Sequence, residues 1–237
     1  MSFYSDFAPY YDLVFPVREQ VYSFLREYAG RSGGAVLDAG CGPGHYCGLF
    51  LREGFQVTGI DLDQMMIDEA LTAYPQGVFR CMDIVGIGSL KNSFQLIYSI
   101  GNVLAHLPFE SVESLLGDIY ASIESGGYWI FQVVNWDYLM TLKDYTFPVK
   151  TIAGEEVTFH RSYCRISPEQ VTFEVQLVSE GKTVFNEHSR LYPLTSEAYS
   201  QLHQAAGFSL EGVYSGFDKS EFMSDGGTGL IMVYKKP

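Results

Sequence analysis

Three glycines at alternate positions follow an acid in the run Val36-Leu37-Asp38-Ala39-Gly40-Cys41-Gly42-Pro43-Gly44. Glycines in such a loop permit positive φ and let a ligand lie against bare backbone. The residues before the loop form a short apolar run of the strand kind, and helical spacing begins at His45. The loop therefore opens onto a helix N-terminus, with its unpaired N–H groups and partial positive charge. Open α/β sheets bind ligands at this kind of place, the carboxyl end of a strand. A dinucleotide loop reads G-x-G-x-x-G and sets a pyrophosphate on the helix terminus. Here the order is Asp38-x-Gly40-x-Gly42-x-Gly44. The acid before the glycines would repel a diphosphate and favour a cationic part of a ligand.

Other acids stand at the ends of later strand-like runs. Asp61, in Gly59-Ile60-Asp61-Leu62-Asp63, closes the second run, where a carboxylate can accept both hydroxyls of a ribose. It could instead cap the next helix, but Asp63 is better placed for that. Asp83 follows the third run in Cys81-Met82-Asp83-Ile84, and could also be an ordinary loop acid.

The glycine stretch resembles motif I of the class I S-adenosylmethionine-dependent methyltransferases, and the later segments are similar to that family in turn. The resemblance covers 35–134 and, less closely, 207–213 and 229–234. It implies S-adenosylmethionine as cofactor, with Asp38, Gly40, Gly42 and Gly44 around it and Asp61, with Leu62 beside it, on the adenosyl ribose. It also implies Asp83 on the adenine amino group, Met82 and Ile84 against the ring, and backbone carbonyls near Ile100 along the methionine end. His106 falls where the family often presses a side chain toward cofactor or substrate, although it could simply pack at the start of a helix. Phe7-Ala8-Pro9-Tyr10-Tyr11-Asp12 looks like the opening of small-molecule N-methyltransferases of the glycine and sugar-amine kind. The likeness implies that Tyr11 closes over the cofactor, although it could instead belong to an amphipathic helix packing aromatics on the sheet. Phe7 stands where the family has its first tyrosine. His106 and Tyr11 are the candidate catalytic residues.

The acceptor side is expected beyond the fifth strand and along the segment after it. Asn135 and Trp136 come first, then Arg161, Tyr163 and Arg190, whose arginines could clamp a carboxylate. Each of these could equally be a surface-facing strand residue. Methyl transfer from a sulfonium needs alignment and exclusion of water more than an acid or base. An amine acceptor must arrive neutral, so a nearby His or carboxylate would help. Cys41, Cys47, Cys81 and Cys164 form no CxxC pair and no cluster of zinc spacing, so no metal is expected. The Asn/Asp-Pro-Pro-Tyr/Phe motif of many base and protein amino methyltransferases is absent after the fourth strand.

These residues require a particular scaffold. Apolar runs at 35–39, 56–60, 78–81, 94–100 and 128–134 alternate with helical patterns at 45–53, 64–74 and 111–123. That alternation predicts a parallel sheet covered on both faces. From 146 to 192 the residues alternate with period two, with turns at Gly154 and Glu180-Gly181, which predicts an antiparallel meander. A helix at 195–206 and strands at 207–213 and 229–234 follow. The expectation is an α/β, Rossmann-like, seven-stranded, mostly parallel sheet with helices on both faces, plus an antiparallel β insertion forming a lid or substrate wall. One domain spans 1–237, with a helical cap over 1–30 and the insertion at about 140–193.

Composition limits the partners. Twenty-eight acidic residues against 15 basic ones leave a net charge of −13 in 237 residues. That balance argues against nucleic acid and against an anionic membrane surface. Hydrophobic residues at 47% and aromatics at 15% argue against disorder. No run approaches the roughly 18 apolar residues of a membrane span, and the opening residues lack a secretory pattern, so a cytoplasmic location is expected. The expected function is methyl transfer from S-adenosylmethionine to a small molecule, by a monomer or homodimer. An acidic field favours an amine acceptor, hence nitrogen over oxygen. A cofactor-binding protein without transfer activity is the first alternative. A nicotinamide oxidoreductase is the second, disfavoured by the glycine spacing and Asp38.

Overall fold

The computed structural model describes residues 10–152 and 156–237. The helices are α1 (Tyr11–Val14), α2 (Glu19–Tyr28), α3 (His45–Arg52), α4 (Gln64–Ala73), α5 (Phe109–Ser122), α6 (Trp136–Leu139) and α7 (Ser196–Ala205). Short 3-10 turns run over Ile84–Leu90 and Val103–His106. The main sheet takes β1 (Ala35–Ala39), β2 (Gln56–Asp61), β3 (Val78–Cys81), β4 (Phe94–Ser99) and β5 (Ile123–Val134). The meander supplies β6 (Tyr145–Thr146), β7 (Lys150–Ile152), β8 (Val157–Cys164), β9 (Val171–Ser179) and β10 (Lys182–Leu191). The chain closes with β11 (Ser209–Tyr214) and β12 (Gly229–Lys235).

Seven strands form the main sheet in the order β11-β12-β5-β4-β1-β2-β3. β1 to β5 run parallel, while β12 inserts antiparallel between β5 and β11. The chain moves outward from β1 through β2 to β3, then returns to β4 on the other side of β1. This reversal leaves a crevice at the carboxyl ends of β1 and β4, where open sheets of this kind bind ligands. The glycine loop after β1 lies there.

The period of two along β1 divides the core. Val36 packs with Phe24, Cys47, Phe50 and Ile67 on the face covered by α2, α3 and α4. Leu37 packs with Leu115, Ile119 and Tyr199 on the face covered by α5 and α7. Asp63 caps α4 by accepting from the N–H groups of Met65 and Met66, at 2.8 and 3.4 Å. Thr195 caps α7 by accepting from the Ala198 N–H at 3.1 Å.

The meander forms a second sheet, β10-β9-β8-β6, with β7 also paired to β8. Its registers put Phe159, Leu177 and Phe185 in one row, and Arg161, Val175 and Glu187 in the next. Tyr163, Phe173 and Ser189 form a third row on the same face. The first row packs with Val14 of α1. Tyr163 packs with Ala105, Val134, Trp136 and Leu139, which lie beyond the carboxyl ends of β4 and β5. The inner face of this sheet therefore spans from α1 to the end of the main sheet, and roofs the crevice.

The junction of α5 and β5 differs from the sequence expectation. β5 begins at Ile123 rather than Tyr128, so Gly126-Gly127 lies inside a strand instead of ending a helix. The pairing is held there by Gly126 N–H to the Lys236 carbonyl at 2.8 Å and Lys236 N–H to the Gly127 carbonyl at 3.0 Å. The turn expected at Gly154 and the Phe7 position lie outside the described residues. Among the described residues, no helix is long and apolar enough to cross a membrane.

Candidate cofactor and acceptor site

The glycine loop is fastened to the neighbouring strand before any ligand is considered. The N–H groups of Gly40 and Cys41 both donate to the Ile60 carbonyl, at 2.8 and 2.9 Å. Gly40 has φ of +97° and Gly42 of +51°. A Cβ on Gly40 would lie 2.6 Å from a Val103 methyl, and one on Gly42 would lie 3.0 Å from the Tyr11 hydroxyl. Both positions thus need glycine for backbone conformation and for space.

Asp61 brackets the loop to the start of α4. Its Oδ2 accepts from Gly42 N–H at 2.8 Å and its Oδ1 from Asp63 N–H at 3.0 Å. Each oxygen retains a further acceptor position. Burial raises the carboxyl pKa, and the backbone donors oppose that rise. Helix capping falls to Asp63, so Asp61 is free of that duty.

Asp38 is placed differently from its expected position against the ligand. Its side chain follows the parity of Val36, toward α3, and is only 2% exposed. Oδ2 accepts from the Tyr98 hydroxyl at 2.8 Å, with the Cys47 thiol 3.6 Å away. Oδ1 is buried with no hydrogen-bond partner. Desolvation pushes the carboxyl pKa up to about 7, against the lowering effect of Tyr98 and Cys47. The acid lies beneath the loop rather than on its surface.

On the β2–β3 side, Leu62 is 70% exposed, an apolar side chain left in solvent beside Asp61. Asp83 is exposed, and caps the following 3-10 turn through Val85 N–H at 3.1 Å. Met82 is half-buried, whereas Ile84 packs into the core with Leu37 and Ile87. Ile84 presents little surface to a ligand because the turn after Asp83 directs it inward. Ile100 is half-buried immediately after β4. The adjoining backbone is fixed by Gly101 N–H to Gln132 Oε1 at 2.8 Å and Val134 N–H to Asn102 Oδ1 at 3.0 Å.

His106 ends the 3-10 turn that begins at Val103. Its side chain is exposed, and desolvation by the protein around it lowers its pKa. The Ala105 carbonyl beside it accepts from Tyr192 N–H at 2.7 Å, which ties the end of the meander to this turn. Opposite, α1 lies over the glycine loop. Its Asp12 pairs with His45 Nε2 at 2.5 Å, and the Val14 carbonyl accepts from Lys150 Nζ at 3.0 Å.

The expected acceptor residues separate. Asn135 is wholly buried, donating to the carbonyls of Met223 and Gly226 at 2.9 Å each and accepting from Tyr138 N–H at 3.3 Å. Its amide holds a loop and caps α6, leaving nothing to offer a substrate. Trp136 is also wholly buried, its ring 5.1 Å from that of Tyr163. Arg161 and Tyr163 lie on the inner face of the second sheet. Arg190 pairs with Thr172 on the outer, exposed face, because it is an odd number of residues from its inward neighbours Ser189 and Leu191. Lys150, which faces Phe159 across β7 and β8, was not singled out in the sequence. The short, irregular strand that carries it gives no period to read. Among the described residues, no three His, Cys, Asp or Glu side chains cluster as a metal site.

Comparison with known proteins agrees with this architecture. A family model described as "Methyltransferase domain" matches residues 17–212. The ubiquinone biosynthesis O-methyltransferase of Coxiella burnetii is 28% identical over 152 residues, 62% of this chain and 59% of that protein. The chain thus spans less than two thirds of that relative's length. The CcbJ methyltransferase of Streptomyces caelestis superposes with a TM-score of 0.82 at 17% identity, covering 99% of this chain and 98% of that one. An S-adenosylmethionine-bound amino pentose methyltransferase from Micromonospora echinaspora gives 0.76 at 16% identity, covering 100% and 99%. With the family model spanning most of the chain and the seven-stranded topology in place, this protein belongs to the methyltransferase-domain family and has the fold of the S-adenosylmethionine-dependent enzymes.

Proposed function

We propose that the protein binds S-adenosylmethionine across the carboxyl ends of β1 to β4 and directs its methyl group to a small-molecule acceptor beneath the second sheet. The observation that carries this reading is the Asp61 bracket. One carboxylate holds the glycine loop and the start of α4 together, and keeps acceptor positions for two hydroxyls. The donor set also fits the cofactor: a glycine loop of positive φ at Gly40, Gly42 and Gly44, exposed Asp83, and Leu62 and Met82 as apolar flanks for a ring. Ile84 is left out of that set by its burial. When bound, S-adenosylmethionine supplies an electrophilic methyl carbon, which an acceptor lone pair takes while the C–S electron pair stays on sulfur.

The chain's own part is placement and dryness. α1 would cover the glycine loop through Tyr11, and the second sheet would exclude water from above. His106, whose neutral form is favoured by desolvation, is the candidate to receive a proton from an acceptor that carries one. Asp38 would contribute charge from beneath the loop, increasingly so above pH 7. In this reading 1–237 works as one unit, the meander being the roof of the site.

The preference for nitrogen is not carried forward. A relative is named an O-methyltransferase, and the structural neighbour named for an amino pentose shares only the fold at 16% identity. The net acidity that favoured an amine is a property of the whole chain, whereas the roof of the crevice carries Arg161 and Lys150. The test is incubation of the purified chain with methyl-labelled S-adenosylmethionine and a fractionated metabolite extract. Label should pass to a small-molecule fraction with the wild type and fail with Asp61→Ala. Cofactor binding with no transfer to any fraction would leave a binding protein and refute the enzymatic reading.

A further inference from the structure

Arg161 is an unusual residue in so acidic a chain. It lies on the inner face of the second sheet, between Phe159, which packs with α1, and Tyr163, which packs against Trp136. It therefore faces the crevice midway between the cover of the glycine loop and the end of β5. Its guanidinium carbon stands 4.6 Å from the ring centre of Phe147 and 5.5 Å from that of Phe159. Its Nε is shut off from solvent with no acceptor, and among the described residues no carboxylate pairs with it. Glu187 shares its row but lies two strands away, roughly 10 Å at ordinary strand spacing.

Lys150 reinforces the charge. It shares the inner face through its pairing with Phe159, and its ammonium spends one donor on the Val14 carbonyl. No acid pairs with it among the described residues. Burial first, then the charges of Arg161 and Arg18, lower its pKa. Arg161 is half-buried and Lys150 exposed, and among the described residues neither has a counter-ion. The cost falls on the buried part of the guanidinium, since a desolvated charge needs a partner. The aromatic rings offset part of that cost for Arg161, but provide no hydrogen-bond acceptor for its fork.

We infer that Arg161, with Lys150 beside it, holds an oxyanion, carboxylate or phosphate, carried by the methyl acceptor. The inference deepens the proposed function and rests on it for the word acceptor. The anion site itself stands on the geometry alone. A planar fork with parallel N–H donors suits both anions, and the adjacent ammonium adds a point charge. The anion is a handle that orients the acceptor and is not itself consumed by the transfer.

The test is calorimetric titration of the full chain, with S-adenosylhomocysteine present, using malonate, benzoate and inorganic phosphate, and chloride at matched ionic strength as control. At least one oxyanion should bind in preference to chloride. Binding to carboxylates alone or to phosphate alone identifies the source of the charge. Arg161→Met should weaken that binding at least about tenfold, the scale of a lost charge-assisted hydrogen bond. Arg161→Lys should keep part of it, and Arg190→Met, on the outer face, should keep all of it. No preference over chloride in the wild type, or equal binding by Arg161→Met, overturns the inference. Titration with S-adenosylhomocysteine alone is read separately: a chain that takes the anion but not this ligand refutes the cofactor reading and leaves the anion site standing. If Arg161→Met does not fold, the wild-type preference and the Arg161→Lys value decide.

Discussion

Replacing Asp38 by asparagine should stabilise the fold at alkaline pH and change nothing in acid. The carboxyl is buried on the α3 side of β1, with one oxygen held by Tyr98 and the other unpartnered. Its pKa is raised from 3.8 to about 7 by desolvation. In the unfolded chain it ionises near pH 4, whereas the folded chain keeps the proton to about pH 7. A raised folded-state pKa contributes stability that is fully present below the unfolded value and is lost as pH climbs through the folded one. Each unit of difference corresponds to about 1.4 kcal/mol, so the roughly three units here amount to about 4 kcal/mol between acid and pH 8. His203 runs the other way. Burial lowers its pKa from 6.5 to about 3, so its neutral ring favours the fold above pH 6.5 and loses that advantage toward pH 3. Both proteins contain His203, so the difference between them isolates Asp38. Urea unfolding of wild type and Asp38→Asn at pH 5, 6, 7 and 8 is the assay. The stability of the variant relative to wild type should rise by about 2–3 kcal/mol from pH 5 to pH 7, then level off. A difference that stays flat across this range would mean an ordinary carboxylate, and would refute the account of Asp38 as a buried acid.

Three substitutions probe the loop and its cover. Gly40→Ala forces a Cβ against Val103 at φ of +97°, and should cost about 1–3 kcal/mol in unfolding experiments while weakening cofactor binding. Asp61→Ala removes the bracket and the hydroxyl acceptor together, so calorimetry should show S-adenosylmethionine affinity lowered by well over tenfold, with the chain still folded. His45→Ala breaks the partly exposed pair with Asp12, worth at most about 1 kcal/mol. It should raise the Kd for the cofactor no more than about fivefold and leave thermal stability nearly unchanged.

The parts of the fold written in hydrophobic period and glycine position were legible in the sequence. β1 and β3 end where the apolar runs end, and α3 stops before Gly54 because a residue of φ +83° closes it. Asp63 was recognisable as a cap because it immediately precedes the helical spacing. Side-chain direction was less legible. Asp38 and Asp61 look alike as acids at strand ends, yet one turns under α3 and the other brackets two loops. Asn135 reads as a polar residue beyond a strand end, but loop carbonyls from 223 and 226, distant in sequence, consume its amide. In the meander, Arg161 and Arg190 differ only in strand parity. That parity becomes readable once the register to Val175 and Thr172 is known. Lys150 depends on a three-residue strand and on contact with α1, neither of which leaves a local pattern.

The most direct measurement is titration of the purified chain with S-adenosylmethionine and, separately, with NAD. The glycine spacing, the Asp61 bracket and the acid beneath the loop predict saturable binding of S-adenosylmethionine and none of NAD. Binding of NAD in place of S-adenosylmethionine would contradict the account at its centre.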